Sequence, residues 1–317
     1  MPGPLVPSDR TEGRQYHQLL RGPGYRWWHP AAGLVVLATS FFVLLVLVQA
    51  GTVLIDVVRT GGPVAESIDR LSTEFDPLFL AGLNLSLAAL LPAVALVMML
   101  VHRRRFGWLS SVAGRLRWGY LARMVWLATG VAVLFTMAAT LLPMNGEAAD
   151  SPATVSFQVW LGLAVVVLLT TPLQAAAEEY VFRGYAFQAL GAWLRTPWIP
   201  LLITSLAFAF AHGSQNLPLF IDRFAFGVIA CWLVIRTGGL EAAIAMHVVN
   251  NVLIFLAAAA FDEVDDALTV TAIPWSLVLL DIAQMMLFAW LAVRSFRNRG
   301  LSAVAGEPGL VTARPSG

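Results

Sequence analysis

The chain has 317 residues, of which 58% are hydrophobic and 12% charged, with a formal net charge of +1 and a mean hydropathy of +0.74. A soluble domain carries about 25% charged residues, so this balance excludes an ordinary soluble enzyme and points to a polytopic membrane protein. The charge gives no reason to expect a nucleic-acid partner, no basic patch with interleaved aromatics occurs, and the single Cys231 excludes an intrachain disulfide.

In chain order, residues 1–30 form a polar, Gly- and Pro-containing tail that does not read as a secretory signal. The first apolar run reads as a signal anchor. A span needs about 20 mostly apolar residues, and eight segments qualify: 31–50, 78–101, 121–143, 155–180, 198–213, 218–236, 240–260 and 274–293. The fifth and sixth are short. Residues 300–317 are again polar, and both tails are expected to be mobile. The expected fold is therefore all-α, with about eight membrane helices around an intramembrane polar site. No internal repeat is visible.

The 20 basic residues are all arginine, and they sort by side. Arg10, Arg14, Arg21 and Arg26, then Arg103, Arg104, Arg105, Arg115, Arg117 and Arg123, then Arg195, Arg236, Arg294, Arg297 and Arg299 fall on one side. The other side holds Arg59 and Arg70 among acids: Asp56, Glu66, Asp69, Glu74, Asp76, Glu147, Asp150, Asp262, Glu263, Asp265 and Asp266. Basic loops stay in the cytoplasm, so the alternation predicts both termini cytoplasmic in a multi-pass protein of the cell membrane.

Ionisable residues within spans are costly and are functional candidates by default. They are Glu178, Glu179 and Arg183 in span four, His212 ending span five, Asp222 and Arg223 in span six, His247 in span seven and Asp281 in span eight. The polar Asn250 and Asn251 join them in span seven. Residues four apart share a helix face, which pairs Glu179 with Arg183, His247 with Asn251 and Phe208 with His212. Glu178 points about 100° away from Glu179 and is free for another task. Glu178 and His212 are equidistant in sequence from Arg195, in the turn between spans four and five, which puts them at one level of a hairpin. His247 lies closer to its own turn at 237–239. All three share a level only if the first hairpin projects beyond the second or span six starts late, and Thr171-Pro172 could also kink span four.

A carboxylate facing an imidazole can hold and activate a water. His and Asn on one face can donate to a developing oxyanion, one such donor being worth about 3 kcal/mol. These parts describe water attack on an amide carbonyl without a covalent nucleophile. The bland alternatives are a buried Glu179–Arg183 pair that fixes helix position, and a His247–Asn251 pair acting as interhelical glue worth about 1 kcal/mol. Asp222 and Arg223 line a site or loop, Asp281 is assigned to cap or to pair with Arg223, and Asn250 is left outside the site.

At these residues the chain resembles the CPBP intramembrane proteases, which include the CaaX prenyl endopeptidases and the bacteriocin-processing or immunity proteins of the Abi family. "EEYVFR" at 178–183, "FAFAH" at 208–212 and "HVVNN" at 247–251 follow that family's ordered motifs. The resemblance covers roughly 155–260. It divides the chain into a tail at 1–30, accessory helices 1–3 at 31–150, a protease core at 151–293 and a tail at 294–317. It implies a metal-independent endopeptidase with no cofactor, acting near the cytoplasmic half of the bilayer. Its substrate would be a peptide or protein, with a hydrophobic or lipidated end as one option. Glu178 would be the base and His212 would orient the water. His247 and Asn251 would hold the oxyanion, with Glu179, Arg183 and Phe208 in support. Three other readings stay open: a non-catalytic immunity or scaffold protein of the same fold, a zinc-dependent protease using Glu and two His, and a transporter with these charges as an ion relay.

Overall fold

A computed structural model describes residues 13–22, 24–73, 76–141, 155–261 and 263–306. Arg10, Glu74, Glu147, Asp150 and Asp262 lie outside the described residues. Every named element is helical: α1 (His29–Thr60), α2 (Val64–Thr73), α3 (Pro77–Ala88), α4 (Leu90–Leu100), α5 (Gly107–Ser110), α6 (Trp118–Leu141), α7 (Phe157–Glu179), a π-helical segment (Tyr180–Ala186), α8 (Phe187–Trp193), α9 (Trp198–Phe210), α10 (Leu217–Thr237), α11 (Glu241–Phe261), α12 (Val264–Thr269) and α13 (Trp275–Asn298), preceded by a 3-10 turn at Tyr16–Gln18. Seven helical stretches are long and apolar enough to cross a membrane, and α9 is a shorter apolar helix. The all-α, multi-pass architecture expected from composition is the one observed.

Helices win here because a bilayer core offers backbone groups no water, so each segment must satisfy its own N–H and C=O. Their ends are set by side chains. Asp76 Oδ1 accepts from Phe79 N at 2.8 Å and opens α3; Asn216 Oδ1 accepts from Leu219 N at 3.0 Å and opens α10. α1 and α10 close on Gly61 and Gly238, whose φ values of 68° and 64° suit glycine alone without strain. The second span breaks at Ala89 between α3 and α4, because Pro92 has no N–H to return to the carbonyl four residues back.

The fourth span differs most from expectation. Pro172 sits inside α7 without ending it. The helix runs on through the π-helical segment and α8, 37 residues in all from Phe157 to Trp193. At ~1.5 Å per residue that is ~55 Å, against a hydrocarbon core of ~30 Å. A β-carbon on Gly184 would meet Leu240 and Leu109, so Gly184 lies level with the turn between α10 and α11. Residues 185–193 extend past that turn. The first hairpin therefore projects beyond the second, and this resolves the mismatch in level between Glu178, His212 and His247.

The expectation of mobile tails fails for 13–22 and 301–306. Tyr16, Leu19 and Leu20 are buried. The Tyr16 hydroxyl donates to the Leu109 carbonyl, Arg104 donates to the Leu19 carbonyl and Arg21 Nε donates to Ala192 O at 2.7 Å. Gly13 N donates to Ala305 O at 2.8 Å, and Ala305 N returns to Arg14 O at 2.9 Å. The sequence reason is local: "YHQLL" supplies three large apolar side chains to a stretch that otherwise reads as polar.

α7 packs between α3 and α11, α11 also meets α6, and α10 lies between α9 and α13. One end of this bundle gathers the tail, the 102–117 connection, the 194–197 turn and the 237–240 turn. Val112 N donates to Gly238 O at 2.8 Å and Leu240 N to Ser110 O at 2.9 Å. Arg117 clasps Glu241 there, with Nε to Oε1 at 2.8 Å and Nη2 to Oε2 at 2.6 Å. The opposite end carries Arg59, held by Asp56 at 2.8 Å and Asp76 at 3.1 Å.

Glu241 is fully buried, so removing its charge leaves the Arg117 guanidinium uncompensated. Glu241→Gln is expected to cost roughly 3–5 kcal/mol, read as a fall in thermal midpoint in detergent, while Asp266→Asn at an exposed position leaves that midpoint unchanged.

Candidate functional site

The π-helical segment begins directly after Glu178 and Glu179. Such wide turns recur at functional sites because they break the regular helix ladder. The two glutamates diverge as adjacent helix positions must. Glu179 points inward and is fully buried. Its Oε1 accepts from Arg183 Nη1 at 2.9 Å and from His247 Nδ1 at 2.8 Å. A carboxylate oxygen only accepts, so Nδ1 of His247 carries the proton and Nε2 is turned toward Glu178, 3.8 Å from Oε2. Glu178 itself faces a cavity of ≈ 580 Å³.

Arg183 has zero exposure. Its Nε and Nη2 have no hydrogen-bond partner among the described residues. Aromatic faces replace those bonds: its guanidinium carbon lies 4.1 Å from the centre of the Phe208 ring and 5.3 Å from that of Phe226. Such contacts strengthen when desolvated. Phe208 also meets His212 edge-on at 4.7 Å and His247 at 5.9 Å. One ring thus sets the positions of both histidines and of the arginine.

His212 lies just past α9, its Nδ1 2.8 Å from the Phe208 carbonyl oxygen. That oxygen can only accept, so Nδ1 donates and Nε2 is left free. His212 lines the cavity together with Glu178, His247 and Asn251. Among the described residues no hydrogen bond joins Glu178 and His212 directly.

Gln174 is a residue that reasoning from charge missed. Its Nε2 donates to Glu178 Oε1, and its Oε1 accepts from Asn251 Nδ2 at 3.3 Å. It bridges the two motifs across α7 and α11. The available signal was spacing: Gln174 stands four residues before Glu178 as an isolated polar group in an apolar run. Asn84 of α3 was missed too; its Nδ2 donates to Thr170 Oγ1 at 2.9 Å and to Thr171 Oγ1 at 3.0 Å, and it lines the same cavity. The accessory helices therefore contribute a wall of the site.

Two assignments need correction. Asp281 does not pair with Arg223: the arginine Nη1 donates to Gln215 Oε1 at 2.8 Å, because residue 215 sits on the loop two turns back along the α10 axis. Asn250 is not turned away from the site; it lines the cavity and its Nδ2 lies 3.5 Å from Asn251 Oδ1. Among the described residues no three His, Cys, Asp or Glu side chains converge as metal ligands.

The family model for type II CAAX prenyl endopeptidase Rce1-like proteins matches residues 157–253, from the start of α7 through the two asparagines of α11. The chain is also similar to an uncharacterised 24.3 kDa protein of Escherichia coli, 31% identical over 163 residues, which make up 48% of this chain and 70% of the relative. It is 32% identical over 99 residues to YyaK, an uncharacterised protein of Bacillus subtilis, covering 29% of this chain and 32% of that protein. The chain thus spans about a third of the length of that Bacillus relative. No solved structure matches.

The Arg183 charge is balanced only by Glu179 within the buried cluster, so Arg183→Ala is expected to destabilise the fold by roughly 3–5 kcal/mol. Gln174→Ala, which frees Glu178 without stranding a charge, is expected to cost no more than about 1.5 kcal/mol. Paired thermal unfolding curves in detergent check the contrast.

Proposed function

The chain belongs to the type II CAAX prenyl endopeptidase Rce1-like family, and from that membership we propose that it is an intramembrane endopeptidase in which Glu178 activates the attacking water. The observation that carries this reading is the meeting of Glu178, His212, His247 and Asn251 on the wall of one cavity. Glu178 takes a proton from the water while the free Nε2 of His212 orients it. The water oxygen attacks the carbonyl carbon of the scissile amide. The developing oxyanion accepts from Nε2–H of a protonated His247, whose cationic form Glu179 supports from the other ring nitrogen, and from the N–H of Asn251 not used by Gln174. On collapse the C–N bond breaks, and Glu178 returns its proton to the leaving nitrogen.

Glu179, Arg183 and Phe208 act as positioning residues. The substrate class is a peptide or protein reached at the bilayer.

Glu178→Gln is expected to abolish cleavage of a quenched-fluorescence peptide library by detergent-purified protein, with no loss of thermal stability. Cleavage by the parent is expected to survive o-phenanthroline. Parent-level activity in Glu178→Gln would overturn the assignment of the base, and loss of activity on chelation would overturn the metal-independent mechanism.

A further inference from the structure

Gln174 lies one turn before Glu178 on α7 and is buried. The two ends of its amide serve different helices. Nε2 donates to Glu178 Oε1, and Oε1 accepts from Asn251 Nδ2 of α11 at 3.3 Å. Asn251 Oδ1 in turn faces Asn250 Nδ2 at 3.5 Å. The direction of this chain of contacts is fixed at one end. An ionised carboxylate only accepts, so the group that Gln174 turns to Glu178 must be its NH2. The Gln174 carbonyl then points to Asn251, which must answer with an N–H. That uses one N–H of Asn251 and leaves the other for the cavity that Asn251 lines. The charge on Glu178 therefore sets the orientation of an amide on another helix.

The same contact makes the two oxygens of Glu178 unequal. Oε1 is occupied by Gln174. Oε2 lies 3.8 Å from His247 Nε2, too far for a direct hydrogen bond and on the side of the donor assigned to the oxyanion. Gln174 is itself held in place. Pro172, two residues earlier in α7, has no N–H to return to the Leu168 carbonyl, so this turn lacks a backbone bond. Asn84 of α3 braces the turn, its Nδ2 donating to Thr170 Oγ1 at 2.9 Å and to Thr171 Oγ1 at 3.0 Å.

We propose that Gln174 is a positioning residue of the reaction: it selects Oε2 of Glu178 as the atom that takes the proton from water, and it turns an N–H of Asn251 to the oxyanion. The proton of the attacking water passes to Oε2 and later to the leaving nitrogen. Oε1 accepts from Gln174 throughout, so the amides need not reorganise while the carboxylate becomes a carboxylic acid and reverts. The part played in catalysis rests on the protease reading; the restraint on Glu178 does not.

The test compares the parent with Gln174→Met, which keeps the length of the side chain and removes both bonds, on a peptide that the parent cleaves. kcat is expected to fall roughly 10- to 100-fold, with KM within about threefold of the parent. Gln174→Asn, an amide one methylene too short to span both partners, is the second variant should Gln174→Met fold poorly, with the same loss expected. Combined with Asn251→Ala, the Gln174 substitution is expected to cost less than the product of the two separate costs. An unchanged kcat, or costs that simply multiply, overturns the proposal. Labelling of Glu178 by dicyclohexylcarbodiimide, resolved by peptide mass mapping, reads the restraint without turnover, with Glu178→Gln as the blank. Glu178 is expected to label several-fold faster in Gln174→Met than in the parent, and equal rates overturn the restraint. A parent that cleaves nothing sinks the protease reading and leaves the labelling comparison to decide whether Gln174 holds Glu178.

Discussion

A carboxylate shut away from water must find its counter-charges inside the protein, and Glu179 does so with two groups at once. One oxygen meets the guanidinium of Arg183 and the Nδ1 of His247. The first contact is local, one helix turn along. The second crosses to α11 and ties two distant parts of the chain into one orientation. Losing the Arg183 contact strands a charge, which in a buried setting costs far more than the contact itself contributes, whereas losing the His247 contact removes one hydrogen bond to a carboxylate that keeps its counter-charge. The aromatic enclosure of Arg183 and the orientation of the His247 ring both serve that one side chain.

The division of labour between adjacent glutamates follows from helix geometry. Two neighbouring positions differ by about 100°, so one can face protein while the other faces a cavity. Glu179 organises; Glu178 is left 12% exposed on the wall of the cavity. Gln174 then restrains Glu178 from one turn earlier. A buried polar network is worth having only when nearly every member is satisfied, and the chain of Asn251, Gln174 and Glu178 meets that condition across two helices.

Much of this was legible in the sequence. Charged residues in apolar helices are so costly that their presence alone marked Glu178, Glu179, Arg183 and His247, and four-residue spacing paired Glu179 with Arg183. Hydropathy marked the apolar helices, because length in a bilayer is a physical requirement: seven of the eight expected spans are long enough to cross, and the fifth is the shorter α9. What escaped has its own pattern. Gln174 and Asn84 are uncharged, so a search for ionisable groups passed over them. The continuation of α7 into α8 was implicit in a hairpin that turns at Arg195; what no local pattern marked was the π-helical segment at Tyr180–Ala186. Docking of the N-terminal segment depends on a receiving surface built by α5, α8 and the chain's far end, which no local window contains. The fate of Arg223 turned on Gln215, a loop residue whose position is set by where α10 begins.

The shortness of α9 has a consequence for the lipid. Its 13 residues rise only ~20 Å, well below the ~30 Å of the hydrocarbon core. The next stretch, 211–216, is already non-helical and includes His212, Ser214 and Gln215, groups that belong with water or headgroups. A helix this short favours a locally thinner bilayer beside it, each Å of mismatch costing a fraction of a kcal/mol, so at the flank of the cavity headgroups and water are drawn nearer to Glu178 than the thickness of the surrounding membrane alone would bring them.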